Sequence, residues 1–128
     1  MSQLLSGLSI LVLEDEFLIA MDVEQLCRDN GAENVTVMRN LDEIGQILAA
    51  EFDTAIIDVF LDGVSTLEFA ARLRDDNIPF VFASGYTGND EISNQFPGVA
   101  LIEKPYSGND LIEAVAAACG RSPGSSGI

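Results

Sequence analysis

Residues 53–63 read DTAIIDVFLDG, an apolar run that carries a carboxylate at Asp58 and a second at Asp62. Thr54 to Ile57 are small or apolar and Gly63 breaks the run, so Asp58 stands where a buried strand becomes a loop. In α/β folds, ligands and chemistry gather beyond the carboxyl ends of the strands. An acid in that position raises the question of what the other strands deliver to the same edge.

Upstream, Ser9 to Leu13 (SILVL) and Val35 to Met38 (VTVM) read as strands. Phe17 to Asn30 reads as the helix between them, with Phe17, Leu18, Met21 and Leu26 on one side and Gly31 as its stop. A second helix is expected from about Leu41 to Glu51, with Leu41, Ile44, Ile47 and Leu48 in one stripe, Asn40 as cap and Glu43 in the capping-box position. Downstream, a helix is expected from Ser65 to about Asp75, with Ser65 as its cap and Glu68 three residues on. Pro79 opens a fourth strand, Phe80 to Ser84 (FVFAS), and GYTGNDEISNQ after it holds at most a short helix. Ala100 to Glu103 is the fifth strand, Ser107 to Cys119 the last helix, and GRSPGSSGI a flexible tail. Five repeats of strand then helix call for a parallel sheet covered on both faces, with right-handed crossovers. The continuously apolar strands agree, because a sheet buried on both faces needs no alternation. One α/β domain over residues 8–119, with residues 120–128 as the tail, accounts for the chain.

Composition narrows the function. Of 128 residues, 6 are basic and 21 acidic, a net charge of -15. Phosphates of nucleic acid would be repelled, so direct nucleic-acid binding is not expected, whereas a divalent cation or a basic protein surface is. The chain has no histidine, which removes a histidine base, a histidine phosphoacceptor and a histidine-ligated zinc site. Cys27 and Cys119 fall in helical segments without metal-ligand spacing and read as small core residues. No basic region precedes the apolar residues of the N-terminus, and no stretch reaches membrane-spanning length, so a cytoplasmic protein is expected.

The strand ends share a theme. The first strand leads into Glu14, Asp15 and Glu16, the third ends in Asp58, the fourth in Ser84 followed by Gly85, and the fifth in Glu103, Lys104 and Pro105. Glu14, Asp15 and Asp58 together would repel one another unless a cation were present or some stayed protonated. Their hard oxygen ligands suit Mg²⁺, which keeps several waters and takes few carboxylates. An Asp carboxylate held this way can act as the nucleophile in phosphoryl transfer, giving an acyl phosphate. Ser84 could hydrogen-bond a phosphoryl oxygen, Gly85 leaves its backbone N–H open to approach, and Lys104 adds positive charge. Each residue has an ordinary alternative: loop capping for Asp58, complementing a helix dipole for Glu14, Asp15 and Glu16, a turn for Ser84 and a solvated charge for Lys104. Those alternatives do not explain why all the candidates share one edge of one sheet. Asp62 is read as a solvated loop residue and Glu103 as a neighbour of the site.

With these residues in place, the chain from Ile10 to about Cys119 resembles the receiver domain of bacterial response regulators. ILVLEDE, IIDVFLDG, FASGY and EKP carry the resemblance, in matching order and spacing. The resemblance implies the flavodoxin-like doubly wound fold, a five-stranded parallel sheet of order 2-1-3-4-5. It further implies Asp58 as phosphoacceptor, Asp15 and Asp58 as direct Mg²⁺ ligands, Glu14 acting through water, and the backbone carbonyl of Phe60 as a further ligand. Ser84 would be the switch hydroxyl and Lys104 the phosphoryl-contacting lysine. The partners it implies are a sensor histidine kinase or phosphotransferase and a downstream protein target, and it allows a homodimer on phosphorylation. FASGY is also similar to a subgroup of single-domain receivers with a Phe-Ala/Thr-Ser/Thr-Gly-Tyr signature, often linked to HWE-type kinases and stress signalling. Leu101 departs from the pattern, since many receivers carry an aromatic there, and Tyr86 with residues 87–95 is expected to take over its readout role.

Two rival readings compete. A metal-dependent phosphohydrolase would want an acid two residues after the nucleophile, where this chain has Phe60. A pseudo-receiver that ignores phosphate would be expected to lose Asp15, Asp58 or Lys104, and all three are present. The expected role is therefore a phosphoacceptor signalling domain, not an enzyme.

Overall fold

β1 (Ser9–Leu13) lies between β2 (Asn34–Met38) and β3 (Thr54–Asp58), and β6 (Phe80–Ser84) and β7 (Leu101–Glu103) extend the sheet beyond β3. All four pairings are parallel. The computed structural model describes residues 4–40, 42, 51–84, 90–103 and 108–121. Four helices occur among these residues: α1 (Phe17–Asp29), α2 (Leu67–Asp75), α3 (Asp90–Gln95) and α4 (Gly108–Ala118). Residues 41 and 43–50, most of the helix expected over residues 41–51, and the tail beyond residue 121 lie outside the described residues.

Alternate side chains of the central strands serve two cores, as strand geometry requires. Leu11, Leu13, Ala55, Ile57, Phe80 and Phe82 pack on one face with Phe69, Ala70 and Leu73 of α2 and Ile92 of α3. Ile10, Val12, Ile56, Val81 and Ala83 pack on the other with Val23 and Cys27 of α1 and Leu111, Ile112, Val115 and Ala116 of α4. The sheet is thus sandwiched, and its order, β2-β1-β3-β6-β7, is the expected 2-1-3-4-5 once a separate hairpin is set aside.

That hairpin was not expected. β4 (Phe60–Leu61) and β5 (Val64–Ser65) pair antiparallel around a two-residue loop, with Asp62 at φ 53° and Gly63 at φ 78°. Asp-Gly with both residues at positive φ is the signature of a tight hairpin turn, so the signal was present in LDGV. The hairpin delays α2, which begins at Leu67 after Thr66; Ser65 still accepts a hydrogen bond from the Leu67 N–H at 3.2 Å.

The buried face of α1 also differs from the expected one. Ala20, Val23 and Cys27 face the sheet, while Phe17, Leu18 and Met21 are exposed. Small residues at a three- and four-residue spacing let the helix sit close to the strands, and that requirement outweighs bulk hydrophobicity. Leu26 packs against the same core. A β-carbon on Gly108, at the start of α4, would come within 2.8 Å of the Leu26 side chain.

Cys27 is fully buried, and burial pushes its thiol from 9.0 up to about 12. The native state therefore holds that proton more tightly than the unfolded chain, and this contribution to stability is lost as pH rises from about 9 towards 12. Thiol labelling of the native protein at pH 8 should modify Cys27 only at the rate of global opening, and in denaturant at the rate of a free thiol. Rapid native-state labelling of Cys27, read by peptide mass, would contradict this packing.

Candidate functional site

β1 and β3 are neighbours in register, with Leu13 opposite Ile57, so the residues that follow each strand emerge side by side. Glu14 continues the sheet by one step, its N–H donating to the Met38 carbonyl at 3.1 Å. The result is that carboxylate oxygens of Glu14, Asp15 and Asp58 all lie within 4.8 Å of one another. Glu14 and Asp58 are buried, at 3% and 8% exposure, and Asp15 faces solvent. The cluster is thus half sunk in the sheet edge and open on one side.

Backbone groups hold each carboxylate. Glu16 N–H donates to Glu14 Oε2 at 3.0 Å, Phe60 N–H to Asp58 Oδ1 at 3.3 Å, and Asp62 N–H to Asp15 Oδ2 at 3.0 Å. Asp62, expected to be a solvated loop residue, therefore contributes its backbone N–H from the first position of the hairpin turn. Thr66, also missed, is fully buried, and its hydroxyl lies 2.6 Å from the Asp58 carbonyl oxygen and 3.0 Å from that of Val59. A threonine beside a serine at a helix start reads in sequence as a cap, which hides a role directed backwards to the strand.

The donor set fits a hard divalent cation. All three side chains are carboxylates, and their spread of no more than 4.8 Å is close to the separation of about 4 Å between opposite ligands of an octahedral ion with bonds of 2.0–2.1 Å. Glu14 and Asp58 are buried, and like charges interact more strongly at a low-dielectric edge than in water. Phe60 sits at the start of the hairpin, 44% exposed, two residues from Asp58.

The other candidates divide by position. Ala83 pairs with Asp58, so Ser84 is the next residue along the same edge and stands opposite Glu103 in β7. The Ser84 side chain and residues 85–89, Tyr86 among them, lie outside the described residues, as does Lys104, which follows Glu103 directly. Leu101 is half-buried and packs on the core cluster that contains Phe82 and Phe96, whose rings meet edge-on at 5.4 Å. Among the described residues no helix is long and apolar enough to cross a membrane.

Known proteins share this fold. The response regulator receiver domain profile matches residues 10–116. The transcriptional regulatory protein PdtaR of Mycobacterium tuberculosis is 28% identical over 116 residues, covering 88% of this chain and 57% of PdtaR. A receiver protein from Burkholderia phymatum superposes with a TM-score of 0.76 at 23% identity, over 91% of this chain and 98% of that one. The response regulator PhyR from Brucella abortus superposes with a TM-score of 0.71 at 25% identity, over 91% of this chain and 50% of PhyR. The chain therefore spans little more than half the length of PdtaR and half that of PhyR. With a profile match that runs from β1 into α4, the chain belongs to the response regulator receiver domain family.

Proposed function

We propose that this receiver domain takes a phosphoryl group onto Asp58 from a histidine kinase or phosphotransferase and passes the signal on through protein contacts. The observation that carries the reading is the meeting of Glu14, Asp15 and Asp58 at the carboxyl edge of the sheet, with Asp58 at the end of the central strand. In the transfer, an Asp58 oxygen forms the new P–O bond as the P–N bond to a phosphohistidine breaks and the imidazole takes up a proton. Asp15 and Asp58 would hold Mg²⁺ directly, Glu14 through water, and the Phe60 carbonyl would be a further ligand. Bound there, Mg²⁺ supplies charge neutralisation that lets an anionic donor approach three carboxylates. Ser84, the last residue of β6 beside β3, and Lys104, which follows β7 one strand further out, are assigned the phosphoryl oxygens.

Readout needs two states whose balance the phosphoryl group shifts; near-complete reversal asks for about 5.5 kcal/mol. New charge-assisted hydrogen bonds to Ser84 and Lys104 are suited to supply it. With Leu101 in place of an aromatic, Tyr86 and the segment leading into α3 are assigned the readout. PdtaR is named a transcriptional regulatory protein and PhyR a response regulator, and an output through a protein partner in the cytoplasm, with or without a phosphorylation-linked homodimer, fits a domain of charge -15 better than direct nucleic-acid contact.

Incubation with acetyl phosphate and Mg²⁺ should add one phosphoryl mass to the intact protein, and the adduct should vanish in Asp58→Asn and in the presence of a chelator. Folded protein that takes no adduct from either acetyl phosphate or a phosphorylated phosphotransferase would favour the pseudo-receiver instead. Phe60 stands where a hydrolase would place a water-activating acid, so the phosphoryl group should be long-lived. Phe60→Asn should shorten its lifetime several-fold by admitting and orienting water; an unchanged decay rate would remove Phe60 from that role.

A further inference from the structure

Thr66 opens α2 without capping it. A threonine there ordinarily turns its side-chain oxygen towards the free N–H groups of the first turn. Here the hydroxyl reaches backwards, to the Asp58 carbonyl at 2.6 Å and the Val59 carbonyl at 3.0 Å. The Val59 carbonyl also accepts the Thr66 backbone N–H at 2.9 Å, so the loop between them is closed with or without the hydroxyl. What the hydroxyl adds is a hold on the Asp58 peptide itself. Ser65 meanwhile serves the Leu67 N–H, which leaves Thr66 no capping duty to explain its presence.

The loop closed in this way carries the contacts that orient the site. Phe60 N–H donates to Asp58 Oδ1 and Asp62 N–H to Asp15 Oδ2. Its two ends are Asp58, the last residue of β3, and Thr66, fully buried at the head of α2. A short hydrogen bond in a buried position is a stiff restraint, because breaking it costs the carbonyl a partner that is hard to replace there.

We propose that Thr66 is a positioning residue for phosphoryl transfer: its hydroxyl fixes the Asp58 peptide against the first turn of α2 and thereby aims the Asp58 carboxylate. The proposal rests on the reading of Asp58 as phosphoryl acceptor. Thr66 touches no reacting atom and acts through the backbone of the residue that does.

Thr66→Val keeps the shape and removes the hydroxyl; Thr66→Ser keeps the hydroxyl and removes a methyl group. Both are compared with the wild-type chain by time-resolved intact mass over a range of acetyl phosphate concentrations with Mg²⁺. Thr66→Val should lower the maximal rate by about ten-fold, since misplacement of a reacting group by a fraction of an ångström is costly in rate, while the half-saturating donor concentration stays the same and Thr66→Ser recovers most of the rate. A purely structural defect would instead reduce the fraction of protein that reacts at the normal rate, and Thr66→Ser would share it. A wild-type rate in Thr66→Val, or equal slowing in both variants, overturns the positioning role alone. A wild-type chain that takes no phosphoryl group overturns the acceptor reading and this role with it.

Discussion

The close approach of Glu14, Asp15 and Asp58 at one sheet edge is what the ladder beneath them has to hold. Two unit charges about 4 Å apart at an effective dielectric near 20 repel by about 4 kcal/mol, a large part of the ~5–15 kcal/mol net stability of a typical domain. The strands that carry the three carboxylates hold them within 4.8 Å of one another. The parallel ladder between β1 and β3 supplies the rigidity, and the apolar layers on both faces lock the ladder in place. A site of this kind is suited to a cation and to an anion that arrives with it.

The chain of cause runs from pattern to chemistry without a break. Continuously apolar strands bury both faces of the sheet, and burial on both faces leaves the strand ends as the place where acids meet solvent. From there the Asp62-Gly63 turn folds a hairpin back over the edge and sends backbone N–H groups to Asp15 and Asp58. Thr66 closes the same segment from below. The carboxylates are thus held from the sheet on one side and from a short loop on the other, so their geometry is fixed before any ligand arrives.

Much of this was legible in the sequence because the signals were periodic or sat at strand ends. The five strands of the main sheet, the buried Cys27 and the convergence of Glu14, Asp15 and Asp58 follow from apolar runs of strand length separated by helical patterns. Less legible were features decided by tertiary packing. The helix face with Phe17, Leu18 and Met21 is the more hydrophobic in composition, yet the face with Ala20, Val23 and Cys27 is the one that fits against the sheet. Asp62 entered the site through its backbone, and backbone donors leave no trace in side-chain chemistry. Thr66 falls inside the helix expected from Ser65 onward, and only the burial of its hydroxyl against Asp58 and Val59 marks it as part of the site.

The thermal stability of the metal-free protein, titrated with Mg²⁺ at constant ionic strength in wild type and Asp15→Asn, bears most directly on the carboxylate cluster. Wild type should gain stability saturably, by about 2.7 kcal/mol at a free Mg²⁺ concentration one hundred times its Kd. Asp15→Asn, relieved of one like charge, should be the more stable of the two without Mg²⁺ and should gain little from it. No Mg²⁺ response in wild type, or an equal response in both, would contradict a cation site built from Glu14, Asp15 and Asp58.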